Sequence, residues 1–177
     1  YILYSVSIYN TISINELLCY ITYLVYKLRF YKDSKNIVNV FVKLFLENSK
    51  KSLEFCNILF WELTQNIKDV EYQQFYTEIR KTLVLSLNKQ TYNLFVNGYD
   101  FTQNIIEIIK SSEDVKNDLT KHLQTNNYNL ENGFYLPINI NRKFLGIDTT
   151  NIKILNSKTK PIILPCKYID NGKLNTF

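Results

Sequence analysis

Apolar residues recur at helical spacing through the first 125 or so positions of the chain. Leu17, Leu18, Ile21, Leu24, Val25 and Leu28 fall at i, i+1, i+4, i+7, i+8 and i+11, so they share one stripe of a predicted helix with Asn15 as its N-cap. After the polar YKDSK of 31–35 the pattern restarts at Ile37, Val40, Phe41, Leu44 and Phe45, with Asp33 or Ser34 as cap. Ser52 is placed to cap a third helix that turns Phe55, Cys56, Leu59, Phe60 and Leu63 inward, and Trp61 beside Phe60 reads as a further packing anchor. NIKDVE at 66–71 breaks that helix before a fourth stripe at Tyr72, Phe75, Tyr76, Ile79 and Leu83.

A longer helix is predicted over 91–110, with Phe95, Val96, Tyr99, Ile105, Ile108 and Ile109 apolar and Gly98 as a point of irregularity. A last one, over 113–124, carries Val115, Leu119 and Leu123. Helices of this length with short polar joints favour antiparallel neighbours, and successive pairs that each expose an apolar face bury it by stacking. The expected fold is mainly α, an irregular α-solenoid of stacked antiparallel helix pairs filling 1–124.

At TNNYNLENG, 125–133, the texture changes to a polar, turn-rich linker. Beyond it β-branched runs dominate: FYLPINI, KFLGID, NIKIL and PIILPCKYI, with DNG at 170–172 as a hairpin-turn signal. The linker is set at 125–140, and 141–177 reads as the opening strands of a β-containing lobe.

With 177 residues, 46% hydrophobic and 15% aromatic, the chain has ample material for a buried core. It begins at Tyr1, contains no methionine and stops inside a β pattern, and is therefore expected to be a piece of a longer protein. Alanine is absent while asparagine is abundant, as adenine- and thymine-rich codons would give, so the asparagines carry little functional information. They are scattered through periodic sequence, which argues against a prion-like tract. The formal charge of +5 is spread thinly and the aromatics fall at core spacings, so no nucleic-acid partner is expected.

Cys19, Cys56 and Cys166 are far apart and odd in number, which argues against a disulfide framework or a zinc site and suits a reducing cytosol. His122 has no ligand-type neighbour at metal spacing and reads as a solvated helix position, so no metal site is expected. The most apolar stretch, ELLCYITYLVYKLRF at 16–30, carries Lys27 and Arg29 and is shorter than the about 20 residues a bilayer core needs. Nor does the chain show a signal peptide's basic start, apolar middle and cleavage site.

Taken in order, these stretches resemble the phosphatidylinositol 3-kinase family, and class III most closely. ELLCYITYLVYKLRF is similar to the family helix whose leucines precede an LVQALKYE-like run. FVKLFLENSKKSLEFCNILFWEL at 41–63 is similar to the family's long helical motif ending in a Tyr-Trp pair, here Phe60-Trp61. YLPINI, then GID, then NIKILNSKTKP resembles the family's passage into the kinase lobe.

The resemblance implies a helical accessory domain over 1–124 and the truncated start of a kinase N-lobe over 141–177. It also implies a parent enzyme that transfers the ATP γ-phosphate to the inositol ring of phosphatidylinositol. That enzyme would work on endosomal or vacuolar membranes in trafficking and autophagy, with ATP and Mg²⁺ as cofactors and regulatory protein subunits as possible partners. Within LNSKTKP, 155–161, it makes Ser157 the hydroxyl that meets the ATP phosphates, with Asn156 and Lys158 shaping the loop and raising its positive potential.

Taken alone, the loop's residues describe a surface hairpin with solvated lysines; its position after the helical layer and the Gly-Ile pair favours the phosphate loop. No catalytic residue is expected within the chain, since the phosphate-pairing lysine, the catalytic loop and the metal-binding aspartate would all follow Phe177. The fragment by itself is expected to be inactive. Two alternatives stay open: a type III phosphatidylinositol 4-kinase, which carries a similar LNSK stretch, and a non-catalytic helical-repeat scaffold.

Overall fold

A computed structural model describes residues 11–126, 133–136, 139–155, 161–170 and 172–176, with backbone alone at 139–141. The fold is mainly helical with a small antiparallel sheet at the C-terminal end, and it divides into two compact units, Tyr1–Asn88 and Lys89–Phe177.

The first unit contains α1 (Ile14–Leu18), α2 (Ile21–Leu28), a 3₁₀ turn (Arg29–Tyr31), α3 (Lys35–Lys51), α4 (Leu53–Asn66) and α5 (Gln73–Leu85). The cap of α1 is Ser13, not the expected Asn15. Ser13 Oγ accepts from the Glu16 N–H at 3.2 Å while the Glu16 carboxylate accepts from the Ser13 N–H at 2.8 Å, a reciprocal pair that satisfies two donors at once. The single expected helix is interrupted at Cys19 and Tyr20, yet Leu17, Ile21, Leu24, Val25 and Leu28 all stay buried, so the stripe continues across the break.

Ser52 joins α3 directly to α4, its Oγ accepting from the Phe55 N–H at 3.1 Å as the sequence predicts. Helix α4 packs on α1, α2, α3 and α5. It buries Phe55, Cys56, Leu59 and Leu63 completely. Trp61 corrects the expectation of a packed anchor: it is only half-buried, edge-on to Phe60 with centroids 5.4 Å apart.

On α5, Tyr76 is fully buried and its hydroxyl donates to the Val25 carbonyl of α2 at 2.7 Å, which carries the one polar atom of a large ring into the core with its bond made. Arg29 closes the same corner. It donates to Asn66 Oδ1 at 2.9 Å, pairs with Asp69 at 3.6 Å and stacks near the rings of Tyr26 and Tyr72.

The described residues of the second unit form α6 (Lys89–Ser111), α7 (Val115–Asn126) and the strands β1 (Phe134–Leu136), β2 (Asn139–Ile147), β3 (Lys153–Ile154), β4 (Ile162–Ile163), β5 (Cys166–Asp170) and β6 (Lys173–Thr176). The four-stranded sheet runs β1-β2-β5-β6, antiparallel throughout, and β3 pairs with β4 as a separate hairpin. At the DNG signal, β5 and β6 pair through Asp170 and Lys173, and Gly172 takes a φ of 76° that a two-residue turn demands.

The sequence set its boundary at 125–140, whereas the compact units divide after Asn88. The reason is burial. Phe101 of α6 and Leu119 and Leu123 of α7 form one core with Phe134 of β1 and Ile152, so these two helices cover their apolar faces with strands. Gly98 makes that contact possible, because a Cβ at this position would overlap the Tyr135 carbonyl oxygen.

Gly98→Ala therefore pits a helix-propensity gain of about 1 kcal/mol against backbone overlap. We expect a net loss of about 1 to 3 kcal/mol in urea unfolding; an unchanged or raised midpoint would mean that α6 does not lie this close to β1. Tyr76→Phe, which removes only the hydroxyl, is expected to cost about 0.5 to 1.5 kcal/mol by the same measurement.

Candidate functional site

Strands β3 and β4 pair Lys153 with Ile163 and Ile154 with Ile162. One further bond, Leu155 N–H to the Pro161 carbonyl at 2.9 Å, extends the pairing by one residue on each side. Pro161 stands just before β4 and opposite Leu155, and because it has no N–H the pair carries this one bond and not the reciprocal one, so the ladder ends there. Ile152 is buried at the base of this hairpin, while Leu155 and Ile163 are exposed.

The predicted site residues Asn156, Ser157 and Lys158, with Thr159 and Lys160, lie outside the described residues. What the structure supplies is the frame: two strand ends held a single hydrogen bond apart, with five residues between them.

Next to the frame, Asp148 caps the 3₁₀ turn Thr149–Asn151, accepting from the Thr150 N–H at 2.9 Å and from the Asn151 amide at 2.9 Å. The Thr150 hydroxyl, then the Asn151 amide and the Thr150 backbone, hold its carboxyl below the usual range. The carboxylate is thus occupied with the turn.

A second feature of this unit was not anticipated from sequence. One face of the sheet lines an open cavity of about 480 Å³, walled by Phe101, Phe134, Phe144, Leu164 and Tyr168 among others, with Arg142 and Cys166 as its polar points. The rings form a ladder: Phe101 to Phe134 at 4.9 Å, Phe134 to Phe144 at 6.0 Å, and Phe144 to Tyr168 at 6.2 Å between centroids. Arg142 ends it, its guanidinium 5.0 Å from the Tyr168 centroid and its Nε donating to Asp170 at 3.2 Å. The signal in the sequence was the alternation Arg142-x-Phe144 against Cys166-x-Tyr168-x-Asp170, which sends one set of side chains to one face.

Among the described residues no group of three or more His, Cys, Asp or Glu side chains is placed to hold a metal ion. His122 on α7 is half-buried, its Nδ1 3.1 Å from the Asn126 amide nitrogen. No described helix is long and apolar enough to cross a membrane. No family model matches the chain, and a search of the curated proteins finds no match.

The three cysteines differ sharply in environment. Cys19 is exposed, Cys166 is half-buried with its thiol pushed up by burial, and Cys56 is buried with its thiol pushed up to about 11. Alkylation proceeds through the thiolate, so an exposed cysteine reacts first and a buried one whose proton is held reacts only on unfolding. We expect iodoacetamide near neutral pH to label Cys19 first, Cys166 slowly and Cys56 only in denaturant, read by peptide mass mapping; native labelling of Cys56 at the rate of Cys19 would contradict the packing of α4.

Proposed function

We propose that the chain is part of a phosphatidylinositol kinase: stacked helical pairs of the accessory domain, followed by the opening strands of a kinase N-lobe. The observation that carries this reading is the β3–loop–β4 hairpin. Its serine-bearing stretch follows a helical region, and its loop is framed by paired strand ends with the Leu155 to Pro161 bond across its mouth. In phosphoryl transfer the protein's main task is to position the phosphates and stabilise their charge, and a serine-bearing stretch between two paired strand ends suits one side of that cradle.

On this reading Ser157 donates its hydroxyl to a phosphate oxygen, and Asn156 and Lys158 shape the loop and add positive potential. ATP and Mg²⁺ belong to the parent enzyme, whose lysine, catalytic loop and metal-binding aspartate would come from outside these residues. The substrate is phosphatidylinositol on an endosomal or vacuolar membrane. The 3-position of the ring is favoured by the class III likeness of the helical stretch at 41–63. Phosphorylation at the 4-position is the competing outcome of the product assay.

The test is a vesicle assay of the full-length protein with labelled ATP and phosphatidylinositol, the lipid product being resolved by ring position. Losing one hydrogen bond to a charged group costs about 1.5 to 3 kcal/mol, so Ser157→Ala is expected to lower kcat/KM for ATP by roughly 10- to 150-fold. Thermal stability should be unchanged. Lys158→Ala should cost less, and its effect should fade at high salt through screening. Absence of lipid phosphorylation by the full-length protein, or full activity in Ser157→Ala, would overturn the reading and leave a helical-repeat scaffold in its place.

A further inference from the structure

We propose that the sheet cavity binds one molecule of a lipophilic monocarboxylate, its apolar body lying against the ring ladder and its carboxylate meeting Arg142. This inference stands apart from the kinase reading and uses none of the residues of the 156–160 loop.

Volume, wall chemistry and charge each contribute. About 480 Å³ falls within the roughly 300 to 1,000 Å³ typical of small-ligand sites, and such sites combine mostly apolar walls with a few placed polar groups. Here the walls come from α6, β1, β2, β4, β5 and the segment between β4 and β5, so the cavity is built by elements distant in sequence.

Arg142 fixes the orientation. Asp170 takes its Nε and Tyr168 takes one face of the guanidinium, which holds the side chain in place. Both terminal nitrogens have no hydrogen-bond partner among the described residues, and together they form the edge that a carboxylate meets with two parallel bonds. Asp170, 3.2 Å away, argues against a doubly charged phosphate, because a second and third negative charge would crowd one cation. Burial keeps the Cys166 thiol protonated, so the wall offers no competing anion. A single charge at the end of an apolar body is what remains.

The experiment titrates the full-length protein with decanoate and with 1-decanol by calorimetry, each variant first being shown to keep its thermal transition. We expect saturable one-to-one binding of decanoate. Arg142→Met keeps the apolar stem and removes the charge, and should weaken decanoate by roughly 10- to 150-fold, the equivalent of about 1.5 to 3 kcal/mol, while leaving decanol unchanged. Leu164→Trp fills the cavity and should abolish binding of both. Absence of saturable binding, equal affinity for acid and alcohol, or undiminished decanoate binding in Leu164→Trp would each overturn the proposal. So would binding that accompanies loss of the native transition, since that is what a detergent does.

Discussion

The second compact unit depends on one close approach, that of the α6 backbone at Gly98 to the carbonyl of Tyr135 in β1. Helices normally meet sheets through side chains, which keep the two backbones apart. Here a missing side chain brings backbone to backbone, and Phe101, one turn further along, is thereby pressed against Phe134 at 4.9 Å. Every later contact follows from that placement: Leu119 and Leu123 of α7 join the same core, and Ile152 anchors the β3–β4 hairpin beneath it. A bulkier residue at 98 would lift α6 and loosen both the core and the cavity wall.

The first unit rests on a different device. Helix α4 touches four other helices, and its buried residues, Phe55 to Thr64, cover a broad arc rather than a narrow stripe, as expected of a central helix. Being central, it makes the polar corner around it matter more. Tyr76 and Arg29 are large groups with polar ends, and both reach specific partners across the helix joints, Val25 in one case and Asn66 with Asp69 in the other. Leaving such a group without its bond costs about 1 to 3 kcal/mol, so these contacts favour one arrangement of the helices over others of similar apolar burial.

Much of this was legible in the chain. The stripes from Leu17 to Leu83 mark buried faces because a 3.6-residue period and a single apolar environment leave little choice, and Ser52 was readable as a cap because its hydroxyl had an N–H three residues on. The cap of α1 was readable too, as Ser13-x-x-Glu16, but the apolar period alone drew attention to Asn15. Gly98 shows the limit of such reading. Periodicity marks it as an irregularity, whereas its role depends on which strand lies opposite, and that is fixed by residues far along the chain, around Tyr135. Trp61 errs in the other direction: its type and neighbours suggested burial, but its azimuth on α4 lies at the edge of the buried arc. For the candidate loop, the strands and the closing bond were foreseeable from the β-branched runs on either side of LNSKTKP, while Asn156, Ser157 and Lys158 themselves are carried by the resemblance alone.

Arg142 and the cavity were hidden by an arithmetic effect. Strict alternation along β2 would send Arg142, Phe144 and Gly146 to one face and leave Ile147 on the other. The register shifts between Phe144 and Gly146, so that Phe144 stands opposite Tyr168 and Ile147 opposite Cys166. One extra residue on β2 thus returns Ile147 to the side of Phe144, and both line the cavity although three positions separate them. A glycine there would have left a gap in the wall beside Cys166; the bulge replaces it with a branched side chain. The same shift leaves Arg142 in phase with Phe144, opposite Asp170 and at the polar end of the ladder. Bulge, ring ladder and guanidinium are therefore one construction, in which a local break in pairing decides which residues share an apolar chamber and where its single cation stands.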